Sequence, residues 1–189
     1  RAAARTRLGL DPDGDLVAGV GAGSWRKGID LFLQVAAKVR AERGDDVRFA
    51  WVGPVDDPDE TGHDLRALGL DDAVTLVGEV EDPAPWFDAL DVLLLTSRED
   101  PFPLVVLEAG LAARPVVSFT NGGAPEVIEP DGGAVVGYLD IDAMAAATAD
   151  LLADDAARTA AGEALQDRVR ARHVTRVGAP AMWRALTRP

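Results

Sequence analysis

Short apolar segments of strand length alternate with longer segments of helical periodicity along most of the chain. The apolar segments cover residues 15–21, 47–53, 73–78, 91–97, 114–120 and 132–138. Their runs of valine, leucine and other apolar residues indicate strands that are buried on both faces. Two or three further helices are predicted over residues 141–186. The pattern predicts an α/β fold, a Rossmann-like parallel six-stranded sheet with helices on both faces, in a single domain of residues 1–189.

The charge and the residue types that are missing exclude several classes of function. The net charge is −13, which disfavours nucleic acid as a partner because binding it depends on basic surface. Cysteine is absent, so disulfides and thiol catalysis are excluded. The two histidines, His63 and His173, are far apart in sequence, and partners for a zinc site or a Ser-His-Asp triad are hard to find. We therefore expect no metal site.

The beginning of the chain gives expectations about its context. The basic, alanine-rich residues 1–9 have no signal-peptide pattern and are expected to lead directly into a turn before the first strand. No apolar run approaches the roughly 18 residues of a membrane-spanning helix, so no transmembrane segment is expected. Because the sequence opens on Arg1, we expect it to be a piece of a longer protein.

The loop after the first strand, "GAGSWRKG", is a candidate anion site. Ligands of parallel α/β sheets lie at the carboxyl ends of the strands. A dinucleotide fingerprint would need glycine where Arg26 stands. What the loop offers is Gly23 and Ser24 followed by adjacent cations, Arg26 and Lys27, just before a helix. These groups predict binding of a phosphate or diphosphate, and the alternative is that both cations are simply solvated.

The loop after the fourth strand leads into a second candidate anion site. In "SREDPFPLVVLEAG", Pro103 suits the first position of a helix, which makes Phe102 its N-cap. The N–H groups of Leu104 and Val105 would then be free of helical partners.

Two carboxylates accompany this helix start. Asp100 precedes it, and Glu108 lies one turn beyond Leu104 on the same face, so both carboxylates are expected to converge on one spot. Ionised carboxylates only accept hydrogen bonds, which suits the hydroxyl groups of a sugar or ribose. Each residue alone could equally be an ordinary turn or surface residue.

The segment "TNGGAPEVI" repeats this arrangement after the fifth strand. Gly122 and Gly123 would let the backbone approach a ligand closely, and Pro125 opens a helix. A flexible connection between strand and helix is an equally simple interpretation.

The stretch "SREDPFPLVVLEAGLAARPVVSFTNGGAPEVI" resembles the donor-binding half of the retaining glycosyltransferases of family 4, which have the GT-B fold. Their signature is two acidic residues separated by seven others, then a small-residue helix and a Gly-Gly-x-Pro-Glu segment. "SWRKGIDLFLQVA", "FAWVG", "VTLVGEV" and "DALDVLLLTS" also fall in the family's order, so the likeness covers nearly the whole chain.

The sequence departs from the family at three places. The first acid is Asp100 with Glu99 beside it, where the family has glutamate. Prolines replace the glycines on either side of Phe102. The family's arginine, five residues before Lys27, corresponds to Ala22, and Arg26 is expected to supply that charge from a neighbouring place.

The resemblance implies a role for each candidate residue. Arg26 and Lys27 would hold the diphosphate of a UDP-, GDP- or ADP-sugar, and Glu108 would contact the ribose. Asp100 and the N–H groups from Phe102 to Val105 would hold the donor sugar, and the backbone near Val80 would meet the base. No metal and no cofactor is implied.

The resemblance also implies an activity that the chain would share with a preceding acceptor domain. The function would be transfer of a hexose from a nucleoside-diphosphate sugar to an acceptor, with this chain alone inactive. The location would be cytoplasmic, or peripheral to a membrane through the other domain. The alternative is a non-catalytic α/β module that binds nucleotide sugars or acts as a scaffold, in which Asp100 and Pro103 mark lost activity.

Overall fold

The computed structural model describes residues 1–187, so the last two residues of the predicted domain lie outside it. Strands β1 to β6 span Asp15–Val20, Val47–Val52, Val74–Gly78, Val92–Leu95, Val116–Phe119 and Gly133–Val136. Helices α1 to α9 span Ala2–Leu8, Ile29–Arg43, Pro58–Ala67, Ala84–Ala89, Leu104–Leu111, Ala124–Ile128, Ile141–Ala153, Asp155–Arg172 and Thr175–Thr187.

The six strands form one sheet in the order β3-β2-β1-β4-β5-β6, and every neighbouring pair is parallel. The strand order reverses between β1 and β4, and such a reversal opens a crevice at the carboxyl ends of the two strands. The fold class expected from the sequence is confirmed, and the loops after β1 and β4 flank this crevice.

Two apolar cores cover the two faces of the sheet. On β1, Val17 belongs to the core shared with α2, α3 and α7, whereas Leu16 and Ala18 belong to the core shared with α4, α5, α6 and α8. Burial on both faces explains why the strand segments lack polar alternation. Asp57, Asp140 and Asp154 cap α3, α7 and α8 by accepting backbone N–H groups, which fixes where these helices begin.

The first helix departs from the sequence analysis, which expected residues 1–9 to lead directly into a turn. Residues Ala2–Leu8 form α1, and its Arg5 is 1% exposed. Arg5 donates to Asp91 at 2.5 Å, and Asp91 also accepts the N–H of Leu16 at 2.8 Å. A buried ion pair across 86 residues of sequence therefore attaches α1 to the sheet.

Candidate functional site

The crevice brings together one cation and one anion that the sequence analysis selected. The Nζ atom of Lys27 lies 2.5 Å from Oδ2 of Asp100, and the two side chains are only 17% and 12% exposed. Lys27 comes from the loop after β1 and Asp100 from the loop after β4. A half-buried lysine held by one carboxylate still has two N–H donors for an anion.

The neighbouring cation reaches toward the same loop. Nη1 of Arg26 donates to the carbonyl oxygen of Glu99 at 2.9 Å, and the side chain of Arg26 is exposed. Both cations of the loop after β1 are thus placed against the loop after β4. That Arg26 supplies the charge absent at Ala22 stays a prediction.

The backbone beside Lys27 is fixed by a close approach to β4. The hydroxyl of Thr96 donates to the carbonyl oxygen of Gly28 at 2.9 Å. Gly28 has a φ of 72°, and a Cβ atom on it would lie 2.2 Å from the carbonyl oxygen of Thr96. Only glycine fits this position, so the residue after Lys27 sets the distance between the two loops.

Two backbone groups expected to bind a ligand are already engaged. The N–H of Gly23 donates to the carbonyl of Pro54 at 2.6 Å, and that of Ser24 donates to the carbonyl of Ala22 at 2.9 Å. This corrects the expectation that these amides are free donors. The loop builds its own turn with them, so its cations are the stronger candidates for anion binding.

Helix α5 begins one residue later than the sequence indicated. Pro103 is its N-cap, with φ −73° and ψ 110°, and Leu104 is the first helical residue. The expectation that Phe102 caps the helix is therefore wrong, because the ψ of Pro103 is extended, not helical. Leu104 and Val105 nevertheless occupy the first two helical positions, where N–H groups have no partner within the helix.

Glu108 lies in a groove apart from the Lys27–Asp100 pair, which corrects the expectation that Asp100 and Glu108 converge on one spot. The groove has a volume of about 320 Å³ and is lined on the other side by Asp82, Pro83 and Phe87. Glu108 is an exposed residue, but protein atoms around its carboxyl group remove part of its water, which raises its pKa above the usual value. A carboxylate that has lost water in this way gains from hydroxyl donors supplied by a ligand.

Glu108→Gln is expected to increase the free energy of unfolding at neutral pH. The pKa of Glu108 is higher in the folded state than in the unfolded state. The protonated carboxyl group therefore stabilises the fold fully when the pH is below the pKa of the unfolded state. This stabilisation is lost as the pH rises through the pKa of the folded state. Glutamine resembles the protonated form, so the gain should be present at about pH 7 and vanish near about pH 4. Denaturant titration at both pH values measures it.

The control for this prediction is Glu42→Gln, on the exposed surface of α2. It should leave the unfolding free energy unchanged at both pH values. A loss of stability in Glu108→Gln at neutral pH would contradict the desolvation of this carboxylate.

The remaining candidates lie in loops at the same end of the sheet. Val80 follows β3 by two residues and packs against the core that contains α4 and α5. A Cβ atom on Gly122 would lie 1.9 Å from the carbonyl oxygen of Asp100, and one on Gly123 would lie 2.7 Å from that of Pro101. The close approach of these glycines is thus to the protein's own backbone, and contact with a ligand stays a prediction.

Sequence reasoning missed the residues that join the loops. Arg98 forms two hydrogen bonds to the carboxylate of Asp30, and Asn121 donates to the carbonyl of Arg98 at 2.8 Å. The only signal in the sequence was the Lys-Gly-x-Asp order at the start of α2, which contains Asp30. In the sequence, Arg98 is visible only as the first charged residue after the fourth apolar segment.

Two further findings concern the described residues 1–187. Within them, no three histidine or acidic side chains gather closely enough to hold a metal ion. In the same part of the chain, every helix is too short or too polar to cross a lipid bilayer.

Known proteins resemble this chain in sequence. Residues 15–154 match the family described as glycosyl transferases group 1. D-inositol 3-phosphate glycosyltransferase from Kineococcus radiotolerans is 33% identical, over 86% of this chain and 42% of that protein. Lipopolysaccharide core biosynthesis mannosyltransferase LpcC from Rhizobium leguminosarum is 31% identical, over 85% of this chain and 47% of that protein. The chain spans less than half the length of these relatives.

Solved structures share the fold. HepE from Anabaena, determined in complex with UDP and glucose, superimposes with a TM-score of 0.89 at 22% identity, over 98% of this chain and 51% of that one. The C-terminal domain of a group 1 glycosyltransferase from Francisella tularensis gives a TM-score of 0.79 at 22% identity, over 92% of both chains. The six-stranded Rossmann-like domain is that of GT-B glycosyltransferases, and the chain belongs to the glycosyl transferases group 1 family.

Proposed function

We propose that this chain is the C-terminal, donor-binding domain of a retaining glycosyltransferase of family 4. The full protein would move a hexose from a nucleoside-diphosphate sugar to an acceptor bound by a preceding domain. The observation that carries the proposal is the Lys27–Asp100 pair at 2.5 Å in the crevice where the strand order reverses. The family membership and the structural similarity to HepE, which was crystallised in complex with UDP and glucose, support it.

The proposed roles follow from the charge and hydrogen-bonding capacity of each group. Lys27 and Arg26 would bind the diphosphate and stabilise the negative charge that develops on it as it leaves. Asp100 would keep the ammonium of Lys27 oriented and accept a hydroxyl of the donor sugar. Glu108, in its separate groove beside the loop after β3, would accept the hydroxyl groups of the ribose.

The reaction itself would depend on both domains. The acceptor must be held against the anomeric carbon, and proximity of this kind contributes about 7–11 kcal/mol to lowering a barrier. None of the proposed roles of the four site residues supplies that placement. We therefore propose that this chain binds the donor and transfers no sugar by itself. A cytoplasmic location stays a prediction.

Nucleotide binding to the 189-residue chain tests the proposal. We expect calorimetry to detect binding of one of UDP, GDP or ADP. Lys27→Ala and Glu108→Gln should each weaken that binding about tenfold or more, because a hydrogen bond to a charged group contributes about 1.5–3 kcal/mol. Lys38→Ala is the matched control, since Lys38 pairs with Asp142 on the exposed surface.

The possible outcomes separate the two functions considered. An unchanged dissociation constant in both folded variants would remove Lys27 and Glu108 from the site. No binding of any of the three diphosphates at millimolar concentration would favour the non-catalytic scaffold.

Removal of divalent cations is expected to change this binding very little. Arg26, Lys27 and the N-terminus of α5 supply the positive charge and N–H donors that a diphosphate requires. The dissociation constant of the bound diphosphate should therefore agree in EDTA, in magnesium and in manganese. Binding that disappears in EDTA would show that a metal ion takes part.

A further inference from the structure

The side chain of Arg98 makes more protein contacts than an arginine whose guanidinium is hydrated by solvent. Its side chain is 12% exposed and lies in the loop between β4 and α5. Nη1 and Nη2 donate to the two carboxylate oxygens of Asp30 at 2.8 and 2.6 Å. Nη1 also donates to the carbonyl oxygen of Trp25 at 2.7 Å, and the guanidinium carbon lies 5.0 Å from the centre of the Trp25 ring.

The backbone of Arg98 connects further loops. Its N–H donates to the carbonyl oxygen of Arg26 at 2.8 Å. Its carbonyl oxygen accepts from Nδ2 of Asn121 at 2.8 Å and from the hydroxyl of Tyr138 at 3.3 Å. One residue therefore joins the loops that follow β1, β4, β5 and β6.

The partners of Arg98 lie on both sides of Lys27 in the chain. Trp25 and Arg26 precede Lys27, and Asp30 follows it in the first turn of α2. Asp100 is two residues beyond Arg98 on the other loop. Arg98 is thus bonded to the chain on both sides of Lys27 and lies on the loop that carries Asp100.

We propose that Arg98 is a positioning residue that holds Lys27 against Asp100 in the geometry that captures a diphosphate. The inference rests on the proposed function and adds a residue to it. Arg98 acts through Asp30 and Trp25 and needs no contact with the ligand. The planar guanidinium makes two parallel bonds to Asp30 while lying on an aromatic ring, and lysine can reproduce neither feature.

The Arg98–Asp30 pair stays ionised at neutral pH. Burial alone would raise the pKa of Asp30, but the hydrogen bonds and the charge of Arg98 outweigh it and the pKa is lowered. The hydrogen bonds that Arg98 donates to Asp30 in turn raise the pKa of Arg98.

Helix α2 provides a matched control at its other end. Arg40 also donates two parallel bonds to one carboxylate, that of Asp72, at 2.6 and 2.7 Å. It also donates to a backbone carbonyl, that of Gly69, at 3.0 Å, and its side chain is 17% exposed. Arg40→Met therefore removes the same kind of interaction from the same helix, away from Lys27.

Chemical labelling of lysines tests the inference without any ligand. The chain has two lysines, Lys27 with 17% and Lys38 with 48% side-chain exposure. Limiting acetic anhydride, read by mass spectrometry, gives the ratio of Lys27 to Lys38 modification. Arg98→Met should raise this ratio severalfold, because Lys27 is released from Asp100, whereas Arg40→Met should leave Lys27 labelling as in the unmodified chain.

Asp30→Asn is a second variant with almost unchanged shape, in case Arg98→Met does not fold. It should raise the same labelling ratio, because an amide can accept only one of the two bonds from Arg98. An unchanged ratio in a folded variant would overturn the inference. An equal rise at both lysines would also overturn it, because that result indicates general loosening of the fold.

Binding measurements then connect the geometry to the ligand. For whichever of UDP, GDP or ADP binds the chain, Arg98→Met should raise the dissociation constant about tenfold. The corresponding nucleoside, which lacks phosphates, should bind both proteins equally. Equal diphosphate affinity would overturn the inference. Absence of binding to the unmodified chain would instead overturn the proposed function, and the labelling ratio would still decide the role of Arg98.

Discussion

Gly122→Ala is expected to destabilise the fold and to weaken diphosphate binding about tenfold or more. The new Cβ atom would lie 1.9 Å from the carbonyl oxygen of Asp100, at a φ of 63°. Strain at positive φ costs about 1–2 kcal/mol, and relief of the overlap must displace backbone, which costs about 1–3 kcal/mol more. The displaced segment carries Asp100 away from Lys27. Denaturant titration and calorimetry measure the two effects.

Gly69→Ala measures the cost of a positive φ without any overlap of the new Cβ atom with the backbone. Gly69 has a φ of 66°, and nothing lies within 4 Å of the Cβ atom that alanine would add. Gly69→Ala should therefore lower the free energy of unfolding only by the strain of its positive φ, and it should leave diphosphate binding unchanged. Equal destabilisation by the two variants would mean that the loops move apart freely at Gly122.

Asp91→Ala is expected to lower the free energy of unfolding by about 3–5 kcal/mol, the usual effect of leaving one partner of a buried ion pair alone. Asp91 accepts hydrogen bonds from Arg5 at 2.5 Å and from the N–H of Leu16 at 2.8 Å, and both charged side chains are 1% exposed. Burial lowers the pKa of Arg5, and the charge of Asp91 opposes that shift. Without Asp91, the guanidinium would remain buried with only carbonyl partners.

The exposed pair of Lys38 and Asp142 is the control for this prediction. Its side chains are 48% and 84% exposed, so Lys38→Ala should hardly change stability. A similarly small effect of Asp91→Ala would mean that α1 leaves the sheet easily and lets water reach Arg5.

The features that the sequence predicted correctly depend on local patterns. Six apolar segments predicted six strands, because burial on both faces appears directly in residue order. Strands β1, β2, β4 and β5 are mostly buried as expected, whereas most residues of the edge strands β3 and β6 are only partly buried. The adjacent cations Arg26 and Lys27 and the acidic residue Asp100 followed predicted strands, and parallel strands place their carboxyl ends at one edge. That shared edge is the reason why the ends of β1 and β4 could be expected to meet.

The features that the sequence did not predict depend on partners distant in the chain. Helix α1 packs Ala4 and Leu8 against one apolar core, and Arg5 adds a buried ion pair with Asp91 across 86 residues. From the sequence alone, Arg5 and Asp91 would both be expected to face solvent. The pairing of Arg98 with Asp30 was missed for the same reason, and the start of α5 was misplaced because proline is compatible with both an N-cap and the first helical position.

The pairing of Lys27 with Asp100 also affects how fast an anion could arrive. The chain as a whole carries a charge of −13, and Asp100 cancels much of the nearest positive charge at long range. A nucleotide would therefore be repelled until it came within about a Debye length, roughly 8–10 Å at physiological ionic strength. Moderate salt would weaken this repulsion before it weakened the short contacts, so association would accelerate while dissociation changed little. The affinity of this site would thus rise with the first additions of salt and fall only when the short contacts are screened in turn.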